Sequence, residues 1–230
     1  MDNAIDFNIK VHGIINIEGI EIWITETMRN TWIIMGILIA LAVFARIKLK
    51  SFKEVPKGAQ NIIEAVIEFF DNFVKNTVGE RLSFLGSWFF AVMAFILLSN
   101  LSGLFFLRSP SADWSVTFAL ALTTFVLIQV MGVKFRKGGY IKSMFQPVFL
   151  FFPLNLIGEI ARPISLSFRL FGNVLSGMIL LNLFYALVPI YVKFLVPSLL
   201  HFYFDLFAGI LQAYVFCVLS LSFISVATQE

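Results

Sequence analysis

The last 88 residues of the chain, Ser143 to Glu230, carry only six charged side chains and are otherwise mainly apolar. Two helical stretches are predicted there, over residues 144–186 and 192–228, on either side of Pro189. About 40 residues of helix extend about 60 Å, whereas the hydrocarbon core of a bilayer is about 30 Å thick. These two helices are therefore expected to form a long, tilted or bent hairpin in a membrane. The prolines at which the first of them is expected to bend are Pro147, Pro153 and Pro163.

The rest of the chain is also too apolar for a soluble fold. Hydrophobic residues make up 59% of the chain and charged residues 13%, against about 45–50% and about 25% in soluble domains. A soluble protein of this size could not cover so much apolar surface with polar side chains. The fold class predicted is therefore an all-α, polytopic membrane protein, a single domain over residues 1–230 embedded in the lipid bilayer.

About five membrane helices and one surface helix are predicted. Apolar residues recur at helical spacing over residues 56–80, for example Ile62, Val66 and Phe70, while Glu64 and Glu68 occupy another face. This pattern is typical of an amphipathic helix on the cytoplasmic membrane surface or against a partner. The other predicted segments are an external amino-terminal arm over 1–21, spans over 22–47, 83–107 and 113–134, and the two stretches over 144–186 and 192–228.

Two basic clusters predict the orientation in the membrane. One follows the first span, from Arg46 to Lys57, and the other follows the third span, from Lys134 to Lys142. Short loops rich in Lys and Arg lie on the cytoplasmic side. The amino terminus is therefore expected outside and the carboxyl terminus in the cytoplasm.

Arg169 is the charge that most constrains function. It follows Lys142 by 27 residues and precedes Lys193 by 24, so it is far in sequence from either end of its helix. An Arg at the membrane centre costs at least about 2.5–3.5 kcal/mol. Snorkelling of the side chain to an interface is the alternative explanation, and an oblique helix would allow it.

The neighbours of Arg169 form a polar stripe. Glu159, Arg162, Leu166, Arg169 and Asn173 follow one another at steps of three and four, so they share one helix face. Glu159 and Arg162 can pair at i, i+3. Arg169 has no acidic residue within two turns on this helix, so its counter-charge is expected from another helix or another protein.

A second polar stripe lies on the last helix, where His201, Asp205 and Gln212 are separated by steps of four and seven. Asp205 has two interpretations: it is a buried structural partner, for example of Arg169, or it belongs to a hydrated path for a small cation. His12 and Lys193 are interpreted as ordinary interfacial residues.

Several other functions are disfavoured by the sequence. The chain has no H-E-x-x-H, G-x-S-x-G or glycine-rich phosphate motif, so no catalytic site of its own, cofactor or metal is predicted. The net charge of +3 argues against nucleic-acid binding, and the single cysteine argues against an internal disulfide and a cysteine-based metal site.

An ion-conducting component is favoured. A free-standing cation-coupled secondary transporter is the alternative, although the inverted repeats typical of transporters are not found. An intramembrane enzyme lacks a nucleophile–base pair.

Four segments resemble a known family, subunit a of the F-type, or rotary, ATP synthase, bacterial type. The strongest is the run from Arg162 to Asn173, R-P-I-S-L-S-F-R-L-F-G-N. The others, Leu98–Leu104, Ser109–Asp113 and Gln212–Phe216, occur in family order, and the resemblance extends from about Pro56 onward.

The resemblance implies both partners and mechanism. A subunit a lies beside a rotating ring of c subunits, each with a membrane carboxylate, and assembles with the b-subunit peripheral stalk and the remaining ATP synthase subunits. Arg169 corresponds to the essential stator arginine, which couples translocation of H⁺ or Na⁺ through two half-channels to rotation of the ring. Asn173 and Gln212 match positions that flank this arginine, and Glu159 matches an acidic position of some relatives. The ion-translocation set predicted in this way is Arg169, Asn173, Gln212, Asp205, Glu159, His201 and Arg162.

The chain departs from the family pattern at two positions. Many proton-translocating relatives have Glu nine residues after the arginine, where this chain has Met178. Seven residues before the glutamine, relatives have His, Glu or Ser, where this chain has Asp205. The loss of one proton-relaying acid favours Na⁺, but both ions stay open because the ring supplies the main ion ligands. The resemblance to bacterial-type members implies a multi-pass protein of the bacterial inner membrane.

Overall fold

The computed structural model of the chain describes residues 11–17, 20–49, 58–105, 107–145, 148–187, 189 and 196–229. The described segments are mainly helical. The helices are α1 (Glu26–Leu49), α2 (Ala59–Val78), α3 (Gly86–Leu101), α4 (Trp114–Arg136), α5 (Gly138–Ser143), α6 (Phe152–Leu187), α7 (Val196–His201) and α8 (Gly209–Thr228). Short 3₁₀ turns cover Glu80–Leu85, Ser102–Phe105, Pro110–Ala112 and Phe149–Phe151, and a π-helical segment, Phe202–Ala208, joins α7 to α8.

Five of the described helical stretches are long and apolar enough to cross a membrane. The prediction of an all-α polytopic membrane protein is therefore confirmed. These stretches are Glu26–Lys48, Glu80–Phe105, Trp114–Arg136, Phe149–Leu187 and Val196–Thr228.

The amino-terminal region contains a β-hairpin that the sequence analysis missed. Strand β1 (Val11–Ile17) pairs antiparallel with β2 (Ile20–Thr25). The first span was predicted from residue 22, but residues 22–25 belong to β2 and α1 begins at Glu26. The β-branched and aromatic residues of this region favour a strand over the helix that was extended into it. The remainder of the predicted arm, residues 1–10, 18 and 19, lies outside the described residues.

Helix α6 also begins later than the predicted residue 144. Met144 and Phe145 form a turn, and the α-helix starts at Phe152. Pro153 fits there because the first turn of a helix has no amide partners to lose. The helix then continues through Pro163 without ending, over 36 residues or about 54 Å. Pro147 and Lys193 lie outside the described residues, as does the basic stretch from Lys50 to Lys57.

Helix α8 is the centre of the packing. It contributes Cys217, Leu221 and Ile224 to one buried apolar cluster, which α2, α3 and α4 also enter. It contributes Ala213 and Phe216 to a second cluster, together with residues of α3, α4 and α6. Relative to exposure to water, such burial contributes about 25 cal/mol per Å² of apolar surface. Within a membrane, the close packing of these side chains stabilises the bundle.

The amphipathic helix α2 is buried over only part of its length. Phe70 and Val74 pack into the first cluster, whereas Ile62, Val66 and Phe69 are 67%, 48% and 71% exposed. Its second half is therefore part of the core of the chain, and its first half has an apolar surface that only lipid or another molecule can cover.

Helix α1 is attached to the bundle near its amino-terminal end. Thr27, Asn30 and Ile34 are buried, and the Asn30 Nδ2 donates a hydrogen bond to the carbonyl of Arg108 at 2.9 Å. Beyond Ile34, large side chains such as Leu41 and Phe44 are exposed. The rest of α1 therefore makes little contact with the bundle.

Candidate functional site

Arg169 lies near the middle of α6, on an exposed face. Within the described part of the chain, no carboxylate forms a salt bridge with it. Arg169 lines a cavity of about 230 Å³ together with Arg162 and Phe223. Because Arg169 is about 25 Å along the helix from either end of α6, snorkelling to an interface would require the helix to lie nearly in the membrane plane.

One turn after Arg169, an amide pair joins α6 to α8. The Asn173 Nδ2 donates to the Gln212 Oε1 at 2.7 Å, and Gln212 is buried. Because a buried amide that lost its partner would incur a desolvation cost, this contact holds the two helices in register beside Arg169. The two residues that the sequence analysis placed next to the arginine are brought together by the fold.

The pair His201–Asp205 lies near the amino-terminal end of the last long helical stretch, Val196–Thr228. The His201 Nδ1 and the Asp205 Oδ2 are 2.6 Å apart, and the Tyr185 hydroxyl on α6 is 3.2 Å from the His201 Nε2. Asp205 belongs to the π-helical segment, a rare element that occurs frequently at functional sites. The partner of Asp205 in the structure is thus His201, and the alternative of a pair with Arg169 is not observed.

These side chains line a cavity of about 330 Å³, called cavity A here. It is bounded by Asn173, Tyr185, His201, Asp205 and Gln212, and Met178 also lines it. The position at which many proton-translocating relatives have Glu therefore faces the same space as Asp205. The carboxylates of this space come from Asp205 on the last helical stretch and from Glu26 at the start of α1, and none comes from α6.

A second polar network surrounds Glu159. Its carboxylate forms an ion pair with the Arg162 Nη1 at 2.6 Å, as the i, i+3 spacing predicted, and accepts a hydrogen bond from the Gln129 Nε2 at 3.2 Å. The Tyr140 hydroxyl donates to the Gln129 Oε1 at 2.9 Å. Burial, and then the charge of Glu159, raise the pKa of the Tyr140 phenol above its ordinary value, so the phenol stays a donor.

Tyr140, Asn155, Glu159 and Arg162 line a cavity of about 320 Å³, called cavity B here. The α6 residues of cavity B precede Arg169 in sequence, whereas those of cavity A, Asn173 to Tyr185, follow it. The two cavities therefore lie on opposite sides of Arg169 along the helix axis. This arrangement provides two separate polar spaces with one fixed positive charge between them.

Tyr140 of α5 packs against Gly132 of α4, and this contact provides a test of the network. A Cβ atom at Gly132 would lie 2.7 Å from the Tyr140 Cε2, closer than carbon atoms approach. We expect Gly132→Ala to destabilise the protein by about 1–3 kcal/mol through overpacking. At about 2–4 °C per kcal/mol, thermal melting in detergent should show a drop of several degrees. Gly36→Ala, which meets no atom within 4 Å, is the matched control. Equal melting temperatures for the two variants would contradict the close fit of Tyr140.

Several residues of the two cavities and of the network around Glu159 were missed by the sequence analysis. Gln129 is the one side-chain amide in a mainly apolar span, and this alone could have marked it. Tyr140, Tyr185 and Asn155 carried no comparable signal, because their role depends on which helices meet. His12 has no described side chain, and Lys193 lies outside the described residues.

The sequence profile of the ATP synthase A chain family matches residues 28–225. The ATP synthase subunit a of Propionigenium modestum, named as sodium ion specific, is 34% identical over 87% of this chain and 73% of its own length. The subunit a proteins of Moorella thermoacetica and Syntrophobacter fumaroxidans are 36% and 38% identical, over 88% and 87% of this chain and 90% and 83% of their own lengths.

The family match covers most of the chain and includes all residues of the two cavities that are named above. Together with the five apolar helices, it is consistent with a multi-pass membrane subunit that takes part in ion transport and ATP synthesis within a larger complex. The chain belongs to the ATP synthase A chain family, the subunit a of the membrane-embedded Fo sector.

Proposed function

We propose that this chain is the membrane stator that couples passage of H⁺ or Na⁺ to rotation of a ring of c subunits, with cavities A and B as parts of its two half-channels. The observation that carries the proposal is the position of Arg169, exposed at mid-helix between two polar cavities. An uncompensated positive charge in this position needs a negative partner. A ring carboxylate is the partner proposed.

The charge of Arg169 explains the coupling. A carboxylate that approaches a fixed positive charge is stabilised in its ionised form, so it releases its cation before it passes. The same charge repels a cation that would otherwise leak from one half-channel to the other. Ions can then cross only by loading onto the ring from one cavity and leaving to the other after rotation.

The remaining predicted residues divide between the two half-channels in this proposal. Asp205, His201, Asn173 and Gln212 belong to cavity A, and Glu159 and Arg162 belong to cavity B. The b-subunit peripheral stalk and the other ATP synthase subunits complete the assembly. Membership of the family disfavours a free-standing transporter.

The proposal is tested by ATP-driven ion uptake into proteoliposomes that contain the whole complex, with and without a protonophore. Na⁺ uptake that persists with protonophore would identify a complex that transports Na⁺, and it would explain why Met178 stands where a proton-relaying acid is expected. Acidification that the protonophore collapses would identify a proton machine whose relay uses Asp205 or Glu159. If neither ion is taken up while ATP is hydrolysed by the intact complex, the proposed coupling is wrong.

The proposed orientation puts the start of α1 outside and α5 in the cytoplasm of a bacterial inner membrane. Cytoplasmic segments have an excess of Lys and Arg. In this chain, such residues occur at the end of α1, Arg46 and Lys48, and at the end of α4, Lys134 and Arg136. Cys217 is the single cysteine of the chain and is buried, so background labelling should be low. A membrane-impermeant maleimide should label Glu21→Cys in intact cells and Gly138→Cys only in inverted vesicles. The reverse pattern would refute this orientation.

A further inference from the structure

The carboxylate of Asp205 lies directly against the backbone of Gly103, in the 3₁₀ turn that follows α3. A Cβ atom at position 103 would be 2.9 Å from the Asp205 Cγ, 2.9 Å from its Oδ2 and 3.0 Å from its Oδ1. Both residues line cavity A. Position 103 is thus too close to the carboxylate for any side chain to be present without a displacement.

The backbone of Gly103 does not itself require glycine. Among the described glycines, positive φ angles occur at Gly58 and Gly79 and not at Gly103. An L-residue could therefore adopt the local conformation. What glycine provides at this position is space, and the group that occupies this space is the Asp205 carboxylate.

The segment that carries Asp205 cannot easily move away. A Cβ atom at Gly209, just after the π-helical segment, would be 2.9 Å from the Asn100 Cβ, and the Asn100 Nδ2 donates to the Gly209 carbonyl at 3.1 Å. Phe204 packs closely on Gly177 of α6, where a Cβ would be 3.1 Å from its ring. Because the segment is held on both sides, a methyl group at position 103 would move the carboxylate by rotation of the Asp205 side chain.

We propose that Gly103 is a positioning residue that lets the Asp205 carboxylate reach His201 and so keeps it in place for ion passage through cavity A. The inference rests on the proposed function, because it assumes that Asp205 contacts the ion path. The other charged or titratable groups that line this cavity are Glu26, Arg108, Tyr185 and His201. Rotation of the carboxylate breaks its 2.6 Å contact with His201 but leaves the helix packing intact.

The test compares Gly103→Ala, Asp205→Ala and the double variant in the purified whole complex reconstituted into proteoliposomes. We expect Gly103→Ala to assemble at the wild-type level and to transport about tenfold more slowly, because a displacement of about 1 Å in a reacting group is costly. Once Asp205→Ala has removed the carboxylate, the methyl group at 103 has room. The double variant should therefore transport at the same rate as Asp205→Ala alone. Gly36→Ala, which meets no atom within 4 Å, should transport at the wild-type rate.

A second readout separates positioning from a general loss of structure. The pH profile of transport should shift by about half a unit or more in Gly103→Ala, and the Gly36→Ala profile should coincide with that of the wild type. A wild-type rate and profile for Gly103→Ala would overturn the inference while leaving the proposed function intact. If adding Gly103→Ala to Asp205→Ala slowed transport by the same factor as Gly103→Ala alone does, the two changes would act independently, and this result would also overturn the inference. A wild-type rate for Asp205→Ala would overturn the assignment of Asp205 to the ion path, and the positioning role with it.

Discussion

Arg169→Ala should abolish ATP-driven ion transport by the assembled complex, with a loss of at least about 100-fold, as expected when a preorganised charge is removed from a site of low dielectric constant. No other described cation occupies the stretch of α6 between the two cavities. Hydrolysis of ATP by the detached catalytic sector should continue at the wild-type rate. The measurements are ion uptake into proteoliposomes and ATP turnover by the catalytic sector detached from the same preparation.

Two further variants make the Arg169 experiment specific. Arg169→Lys keeps the charge but loses the planar fork of the guanidinium, so it should retain only part of the transport activity. Arg46→Ala removes a charge from the last turn of α1, which is not among the residues that line either cavity, and should transport normally. Pumping at the wild-type rate by Arg169→Ala would show that the central charge is not needed for coupling.

Asp205→Asn is expected to slow transport by about 10- to 100-fold. The amide has nearly the same shape as the carboxylate, but it can neither carry a negative charge nor exchange a proton, and such groups contribute about this much or more when positioned. The partner His201 remains, so the packing around the π-helical segment should be preserved. Initial rates of ATP-driven uptake provide the measurement.

Asp113→Asn is the matched control for this change. The Asp113 Oδ1 accepts hydrogen bonds from the Ser115 backbone amide at 3.0 Å and from the Ser115 Oγ at 2.7 Å, at the start of α4. Asn is as good an N-cap as Asp, so this variant should fold and transport as the wild type does. If the two Asp→Asn variants transport equally fast, Asp205 has no part in ion passage.

The membrane helices could be predicted because hydropathy acts over 20 or more residues at once. Each span needs only a continuous apolar stretch, whichever neighbours it finally meets. The pair of Glu159 and Arg162 could also be predicted, since residues three apart on one helix are neighbours in any fold. The hairpin of β1 and β2 was missed because β1 was assigned to an external arm without regular structure and most of β2 to the beginning of the first span.

The interior of the site depends on contacts between distant segments. The partner of Asp205 is an exception, because His201 lies four residues before it on the same helical stretch, and the i, i+4 spacing alone could have indicated the pair. The approach of Gly103 to Asp205 joins residues about 100 positions apart, and no periodicity within either segment reports on it. The same holds for Tyr140 and Gln129, which meet Glu159 through three different helices.

The attachment of α1 at one end has a consequence for biogenesis. Its buried Asn30 binds the carbonyl of Arg108, which is synthesised 78 residues later. At about 5–20 residues per second, the ribosome needs roughly 4 to 16 seconds to supply that acceptor. During this interval the first span can already be inserted in the bilayer, but its docking site does not yet exist. Insertion of α1 and its docking are therefore separate events, and docking must wait for the loop that follows α3.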